Sequence, residues 1–257
     1  MSVTTVILGS GTAVPTPTRG AAGYLVVVGE QRLMLDCGPG STRKLAQAGF
    51  SLTDLDRVLV SHFHPDHICD LIAIIFGSRI PGYARTRPLE IVGPVGIKRL
   101  YEKLAEAFGR WLVPEEFELK FSELDASPTS TAILAGEGYT VAARTVAHSY
   151  PAYCYRIETD RGVITYSGDT DYCDSIIELC HNADLAILEC STPDEAKING
   201  HLTPGLAGRI AAAANVKHLV LSHFYPICED IDILGQCRRS FAGQITLAQD
   251  LMRFTLD

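Results

Sequence analysis

A chain of 257 residues, 47% hydrophobic and 20% charged, can bury most of its apolar surface, which excludes a disordered or collagen-like polymer and removes any need for disulfides. Twenty-two Lys and Arg against thirty Asp and Glu leave a net charge of −8, so the overall charge gives no support to a nucleic-acid binder, which needs basic surface to displace counterions from phosphates. The most apolar run, Ile68–Phe76, is far short of the ~20 residues of a membrane span, and Met1–Gly9 carries no basic leader and no small-residue cleavage site, so the expected compartment is the cytoplasm and no membrane partner is expected.

Short β-rich runs alternate with helical segments. Val3–Leu8, Tyr24–Val28 and Arg32–Leu35 read as strands joined by short turns, as in a meander. Ser41–Ala48 is a predicted helix with Ser41 as cap and Gly49 at the stop position. Val58–Val60 and Leu89–Val92 are further strands, and Ile97, Leu100, Tyr101, Leu104 and Phe108 mark one face of a helix after Gly96. Strands are predicted over Tyr139–Val146, Ala152–Glu158 and Val163–Tyr166, with Glu158–Gly162 as a tight hairpin turn. A helix over Tyr172–Cys180 and a strand over Leu185–Leu188 follow. Thr203–Ala214 is a helix with Thr203 as cap and Pro204 at its first position, and Leu219–Leu221 is the last predicted strand. Meander and helical connections together imply a mixed sheet. No Ser- or Gly-rich linker interrupts residues 1–257, which read as one α/β domain. The eight cysteines form no C-x-x-C pair and read as reduced, small apolar residues.

The strongest chemical signal is His62-x-His64-x-Asp66-His67, three imidazoles and a carboxylate in the turn after an apolar strand, with Pro65 stiffening it. Imidazole nitrogen and carboxylate oxygen suit zinc or another borderline divalent ion, and burying so many polar groups without a cation is costly. His148, Asp169 and His223 each follow a predicted strand. Singly they read as loop or turn residues. Together with the first cluster they make seven ligands, enough for two ions with a shared carboxylate. Asp36 ends another strand and is placed to orient a ligand imidazole. Val58–Pro65 and Leu219–Pro226 echo one another, each an apolar strand ending in Ser-His-Phe-x-Pro, which two equivalent halves would produce.

The order His62, His64, Asp66, His67, His148, Asp169, His223 resembles the metallo-β-lactamase superfamily over nearly the whole chain. The resemblance implies a four-layer αββα sandwich of two mixed sheets with a dinuclear site at one edge. It assigns His62, His64 and His148 to one ion, Asp66, His67 and His223 to the other, and Asp169 to a bridge. Gly9-Ser10-Gly11-Thr12, Leu35-Asp36-Cys37-Gly38, Ser167-Gly168-Asp169-Thr170, Leu188–Thr192 and Gly200–Pro204 are similar to the ribonuclease Z and phosphodiesterase branch. That likeness casts Glu189 and His201 as catalytic helpers, although Cys190-Ser191 departs from the usual Ala-Thr. His201 has an alternative as a plain residue beside the Thr203 cap.

The expected enzyme is a hydrolase of phosphodiesters with two divalent ions, zinc first and manganese or iron(II) as alternatives. A hydroxide bridging the ions is the nucleophile, Asp66 orients it, and His201, steadied by Glu189, protonates the leaving group. Ester, thioester or lactam hydrolysis and an iron-based redox role are the competing readings. A small or cyclic phosphodiester is expected to suit the chain better than tRNA, because the Glu158–Gly162 turn leaves no room for the long arm with which bacterial ribonuclease Z grips tRNA; precursor tRNA is the alternative substrate. Arg79, Arg85 and Arg87 read either as a phosphate-facing loop or as ordinary basic surface, and His181 and His218 as solvated. Cys69 belongs to the helix after the metal turn and is not expected to be a ligand. The Ile68–Phe76 run is the expected contact of a homodimer.

Overall fold

The computed structural model describes residues 2–148 and 151–257. Its strands are β1 (Val3–Gly9), β2 (Gly23–Val28), β3 (Gln31–Cys37), β4 (Arg57–Leu59), β5 (Leu89–Pro94), β6 (Leu119–Leu124) and β7 (Ala132–Gly136). They continue with β8 (Tyr139–Val146), β9 (Ala152–Thr159), β10 (Gly162–Tyr166), β11 (Leu185–Glu189), β12 (His218–Ser222), β13 (Gln244–Leu247) and β14 (Arg253–Leu256). The helices are α1 (Ser41–Gln47), α2 (Pro65–Ile68), α3 (Asp70–Gly77), α4 (Ile97–Phe108), α5 (Asp174–Leu179), α6 (Pro204–Ala213) and α7 (Ile233–Arg238).

Two seven-stranded mixed sheets result, ordered β14-β1-β2-β3-β4-β5-β6 and β13-β12-β11-β10-β9-β8-β7. Between them lie Ile7, Tyr24, Leu35, Tyr155, Ile187 and Val220, all buried. Leu45, Leu71, Ile74 and Ile97 cover the outer face of the first sheet, and Ile176, Ala207 and Ile210 that of the second. Each such Leu, Ile or Val side chain contributes about 1.5–3 kcal/mol by leaving water. The result is the αββα sandwich, with no helix among the described residues long and apolar enough to cross a membrane.

Four strands were not foreseen. β6 and β7 are the outermost strands of their sheets and alternate half-buried with exposed positions, so little apolar pattern marks them. β13 and β14 are four residues each, and β14 exists only because it pairs with β1 at the other end of the chain. Helices α2 and α7 are likewise short. The cap of α1 is a correction: Gly40 is the N-cap, with φ +94°, and Ser41 is already helical. Asp70, at the start of α3, accepts from the Gly40 and Thr42 N–H groups and the Thr42 hydroxyl, so a carboxylate from another helix does what Ser41 was expected to do. The helix expected over Tyr172–Cys180 begins later, because Asp171 pairs with Ala147 across a β-bridge. In the Ile68–Phe76 run, Ile68, Leu71, Ile74 and Ile75 are spent on the core, while Phe76 stays exposed beside Trp111.

Candidate metal centre

β3, β4 and β5 run parallel in one sheet, as do β10, β11 and β12 in the other, so their C-terminal ends meet at one edge of the sandwich. This is where parallel sheets present ligand sites. β4 leads to Ser61 and His62, β8 to His148, β10 to Asp169, β11 ends in Glu189, and β12 leads to His223. The two echoed segments therefore end at the same site, one from each sheet. Pro65 sits at the first position of α2, with His64 as its N-cap, so Asp66 and His67 lie on the first turn of a helix. Gly38 lets the β3 end pass under this turn: a Cβ there would stand 2.0 Å from the Asp66 carbonyl oxygen.

The seven sequence-predicted ligands come together. His62, His64, His148 and Asp169 form one group and Asp66, His67 and His223 another, with potential ligand atoms within 4.8 Å of one another in each. Asp169 divides its two oxygens between them. Oδ2 lies 3.7 Å from His62 Nε2 and 4.0 Å from His148 Nε2. Oδ1 lies 3.3 Å from His67 Nε2 and 3.4 Å from His223 Nε2. In each group two ring nitrogens face one another, His148 Nε2 and His64 Nδ1 at 3.3 Å, and His67 Nε2 and His223 Nε2 at 3.2 Å. His62 Nε2 and Asp169 Oδ1 are buried with no hydrogen-bond partner among the described residues. Buried polar atoms normally have partners. These converge on two common points, and that donor set fits divalent cations.

The opposite ring nitrogens are held from behind. His67 Nδ1 lies 2.7 Å from Asp36 Oδ2, His148 Nδ1 donates to the Gly200 carbonyl at 2.8 Å, and His223 Nδ1 lies 3.1 Å from the Ser191 hydroxyl. These contacts leave Nε2 free on all three rings. Asp36, expected to orient an imidazole, thus lies against the His67 ring, and the carboxylate also accepts from the Ser61 N–H and hydroxyl and from the Tyr166 hydroxyl. Asp36 and His223 both have left-handed backbones, with φ +53° and +61°. Such conformations cost about 1–3 kcal/mol and persist where surrounding structure enforces them.

Without a cation, the rings and carboxylates balance charge among themselves. Burial, reinforced by the neighbouring His67, pushes the His62 imidazole down to about 2. Burial also opposes a charge on His67, but Asp169 and Asp36 overcome it and hold that ring well above its ordinary value. Asp169 is penalised by burial too, yet His223 and His67 keep it well below the carboxylate range. Anionic oxygen is therefore stable here as long as positive charge lies beside it.

His201 and Glu189 meet beside these groups. His201 Nδ1 lies 3.2 Å and 3.3 Å from the two Glu189 oxygens, and the Thr170 N–H fixes Oε1 from the other side at 2.6 Å. Burial lowers the His201 pKa, but the Glu189 hydrogen bond and charge and the Asp169 charge raise it more, for a net upward shift. A third grouping of Asp169, His201 and His223 is close enough to take a cation. However, His201 Nδ1 is already engaged by Glu189 and also lies 3.1 Å from Ser191. Tyr166, Ser61 and Ser191 had not been singled out as site residues. The one sequence signal for them is a hydroxyl placed at or just past the end of a strand that leads to a ligand.

The basic loop is not a phosphate-facing one. Arg79 pairs with Glu116, Arg87 with Asp56, and Arg85 is buried, giving its N–H groups to the carbonyls of Leu55, Arg87 and Pro88. These arginines tie the loop to the sheet. His181 is exposed, whereas His218, expected in solvent, is half-buried against Phe254 and Thr246. Cys69 is exposed at the junction of α2 and α3.

Residues 31–224 match the beta-lactamase superfamily domain. The chain is similar to a ribonuclease Z of Thermobifida fusca, 31% identical, with 96% of this chain and 93% of that protein aligned. Among solved structures it is similar to the short form of human tRNase Z, with a TM-score of 0.80, 26% identity and full coverage of both chains. The metallo-beta-lactamase fold protein YhfI from Bacillus subtilis superposes with a TM-score of 0.85 at 24% identity, covering 99% of this chain and 100% of that one. These likenesses correct the expected preference for a small or cyclic phosphodiester over tRNA. The short turn between β9 and β10 is present as read, only Asp160 and Arg161 lying between the strands. It does not separate this chain from proteins named ribonuclease Z, which align with it nearly end to end.

Proposed function

The chain belongs to the beta-lactamase superfamily, and from that premise we propose that it is a metal-dependent endoribonuclease that hydrolyses a phosphodiester bond in precursor tRNA. His62, His64 and His148 would hold one divalent ion, Asp66, His67 and His223 the other, and Asp169 would serve both. The observation that carries this reading is Asp169, whose two oxygens face different histidine groups at 3.3–4.0 Å, beside the hydrogen-bonded His201–Glu189 pair. Two such ions, zinc the simplest choice, would supply Lewis-acid charge stabilisation at the phosphate and would acidify a water. Asp66, whose Oδ2 lies 3.6 Å from His223 Nε2, accepts a hydrogen bond from the attacking water and orients it. His201 keeps Nδ1 on Glu189 and turns Nε2 to the departing alkoxide, to which it gives a proton. The ribonuclease Z relatives support RNA as the substrate class.

The test is cleavage of a precursor tRNA by protein loaded with zinc, stripped by chelator and reloaded, with the new ends mapped. Cutting at one position that disappears on stripping and returns on reloading is expected. Failure of the loaded protein to cut, in conditions where a ribonuclease Z does, would sink the proposal.

A further inference from the structure

One of the two ligand groups and the proton donor meet at a single atom. The Ser191 hydroxyl oxygen lies 2.6 Å from Glu189 Oε2, 3.1 Å from His201 Nδ1 and 3.1 Å from His223 Nδ1. Ser191 is fully buried, so water does not share these contacts. A hydroxyl carries one proton and two lone pairs, an ionised carboxylate only accepts, and a neutral imidazole has one N–H. The shortest contact is to the carboxylate, so the hydroxyl proton goes to Glu189. Both lone pairs are then left for N–H donors, and only the two imidazoles are in reach.

We propose that Ser191 is a positioning residue that fixes two rings at once, accepting from Nδ1–H of His223 and of His201, so that Nε2 of His223 is left as a ligand atom and Nε2 of His201 is left to carry the proton that is transferred. For His223 the free Nε2 stands 3.2 Å from His67 Nε2, inside the second ligand group. For His201, whose Nδ1–H is shared between Ser191 at 3.1 Å and Glu189 at 3.2 Å, Nε2 is the atom assigned to the leaving group. The same anchoring at Nδ1 thus serves a neutral ring that offers a lone pair on one side and a charged ring that gives up its Nε2 proton on the other, and Glu189 orders both through one oxygen. The proposal rests on the ligand and donor roles read above.

The experiment compares the unaltered protein with Ser191→Ala, Ser191→Thr and His201→Ala. Zinc affinity is measured by competition with a chromogenic chelator, and imidazole N–H resonances by NMR of histidine-labelled, zinc-loaded protein. Ser191→Ala is expected to weaken one of two zinc sites about 10–100-fold and to lose the protected Nδ1–H signals of both His201 and His223. Ser191→Thr, which keeps the hydroxyl, restores both readouts to within a few-fold. His201→Ala retains zinc affinity and loses only its own signal. Parental zinc affinity in Ser191→Ala, persistence of both protected signals, or a folded Ser191→Thr that behaves like Ser191→Ala overturns the proposal. Neither readout depends on RNA cleavage, so failure of the nuclease reading registers separately, as an unaltered protein that holds zinc and shows both signals but does not cut.

Discussion

Asp36 Oδ2 stands 2.7 Å from His67 Nδ1, both residues wholly buried, and the other nitrogen of the same ring faces His223. The carboxylate collects donors from Ser61, His67 and Tyr166, so strand β3, strand β4, helix α2 and strand β10 converge on one anion. Asp36→Asn keeps the shape and tolerates the left-handed backbone, but turns one acceptor into a donor facing other donors. Zinc held with His67 should bind about 10–100-fold more weakly. Stability should fall by about 2 kcal/mol or more. Chelator competition and urea unfolding check both, and parental values in the two assays would remove Asp36 from its assigned role.

His64→Ala leaves His148 Nε2 without the ring nitrogen now 3.3 Å away, while the group of Asp66, His67 and His223 is untouched. Metal content should drop from two ions per chain to one, and most activity should go with it. Elemental analysis of protein made with ample zinc decides the matter. Fewer than one ion per chain in the unaltered protein would defeat the two-ion arrangement.

The acid role of His201 has a pH signature. Burial lowers its pKa, but Glu189 and Asp169 raise it by more, so the folded value lies above the ordinary 6.5. A general acid must carry its proton, so rate should hold at lower pH and fall as pH rises through that raised value. Glu189→Gln removes the partner whose hydrogen bond and charge do most to raise it, and should move the alkaline limb to lower pH. His201→Ala should lose roughly 10²–10⁴-fold on substrates with poor leaving groups and far less on a nitrophenyl ester, with metal retained. Equal losses on both kinds of substrate would eliminate the acid assignment.

That these side chains would come together was legible because His62-x-His64-x-Asp66-His67 is dense and follows a plain apolar strand, and because each of its partners closes a strand. Asp36 could be read for the same reason. Ser191 could not, since a serine after a strand carries no mark of the three groups it will touch. The cap of α1 was misread because Asp70, which supplies it, is some thirty positions away and becomes a neighbour only after α3 docks. β14 was invisible for a similar reason, a four-residue run whose β-partner lies at the opposite terminus. Local pattern reaches strand cores and strand-end ligands, while contacts that need the assembled sandwich leave no periodic trace.

The last expectation concerns how the chain grips RNA. Only Asp160 and Arg161 separate β9 from β10, and the Arg79, Arg85 and Arg87 loop spends its cations on Glu116, Asp56 and backbone carbonyls. With a net charge of −8, long-range attraction to a polyanion is also weak. Affinity for precursor tRNA should then come from a few phosphates around the cut and from the site itself. Each neutralised phosphate contributes a slope of about −0.7 to −0.9 in log affinity against log salt, so three contacts give about −2 to −3, where an eight-contact arm gives about −6 to −7. Binding of precursor tRNA between 50 and 200 mM salt, measured with metal-loaded His201→Ala so that the substrate stays intact, yields this slope. A shallow slope with cleavage preserved in the unaltered protein is expected. A slope of −6 or steeper would mean that a basic surface elsewhere on the chain takes the place of the arm.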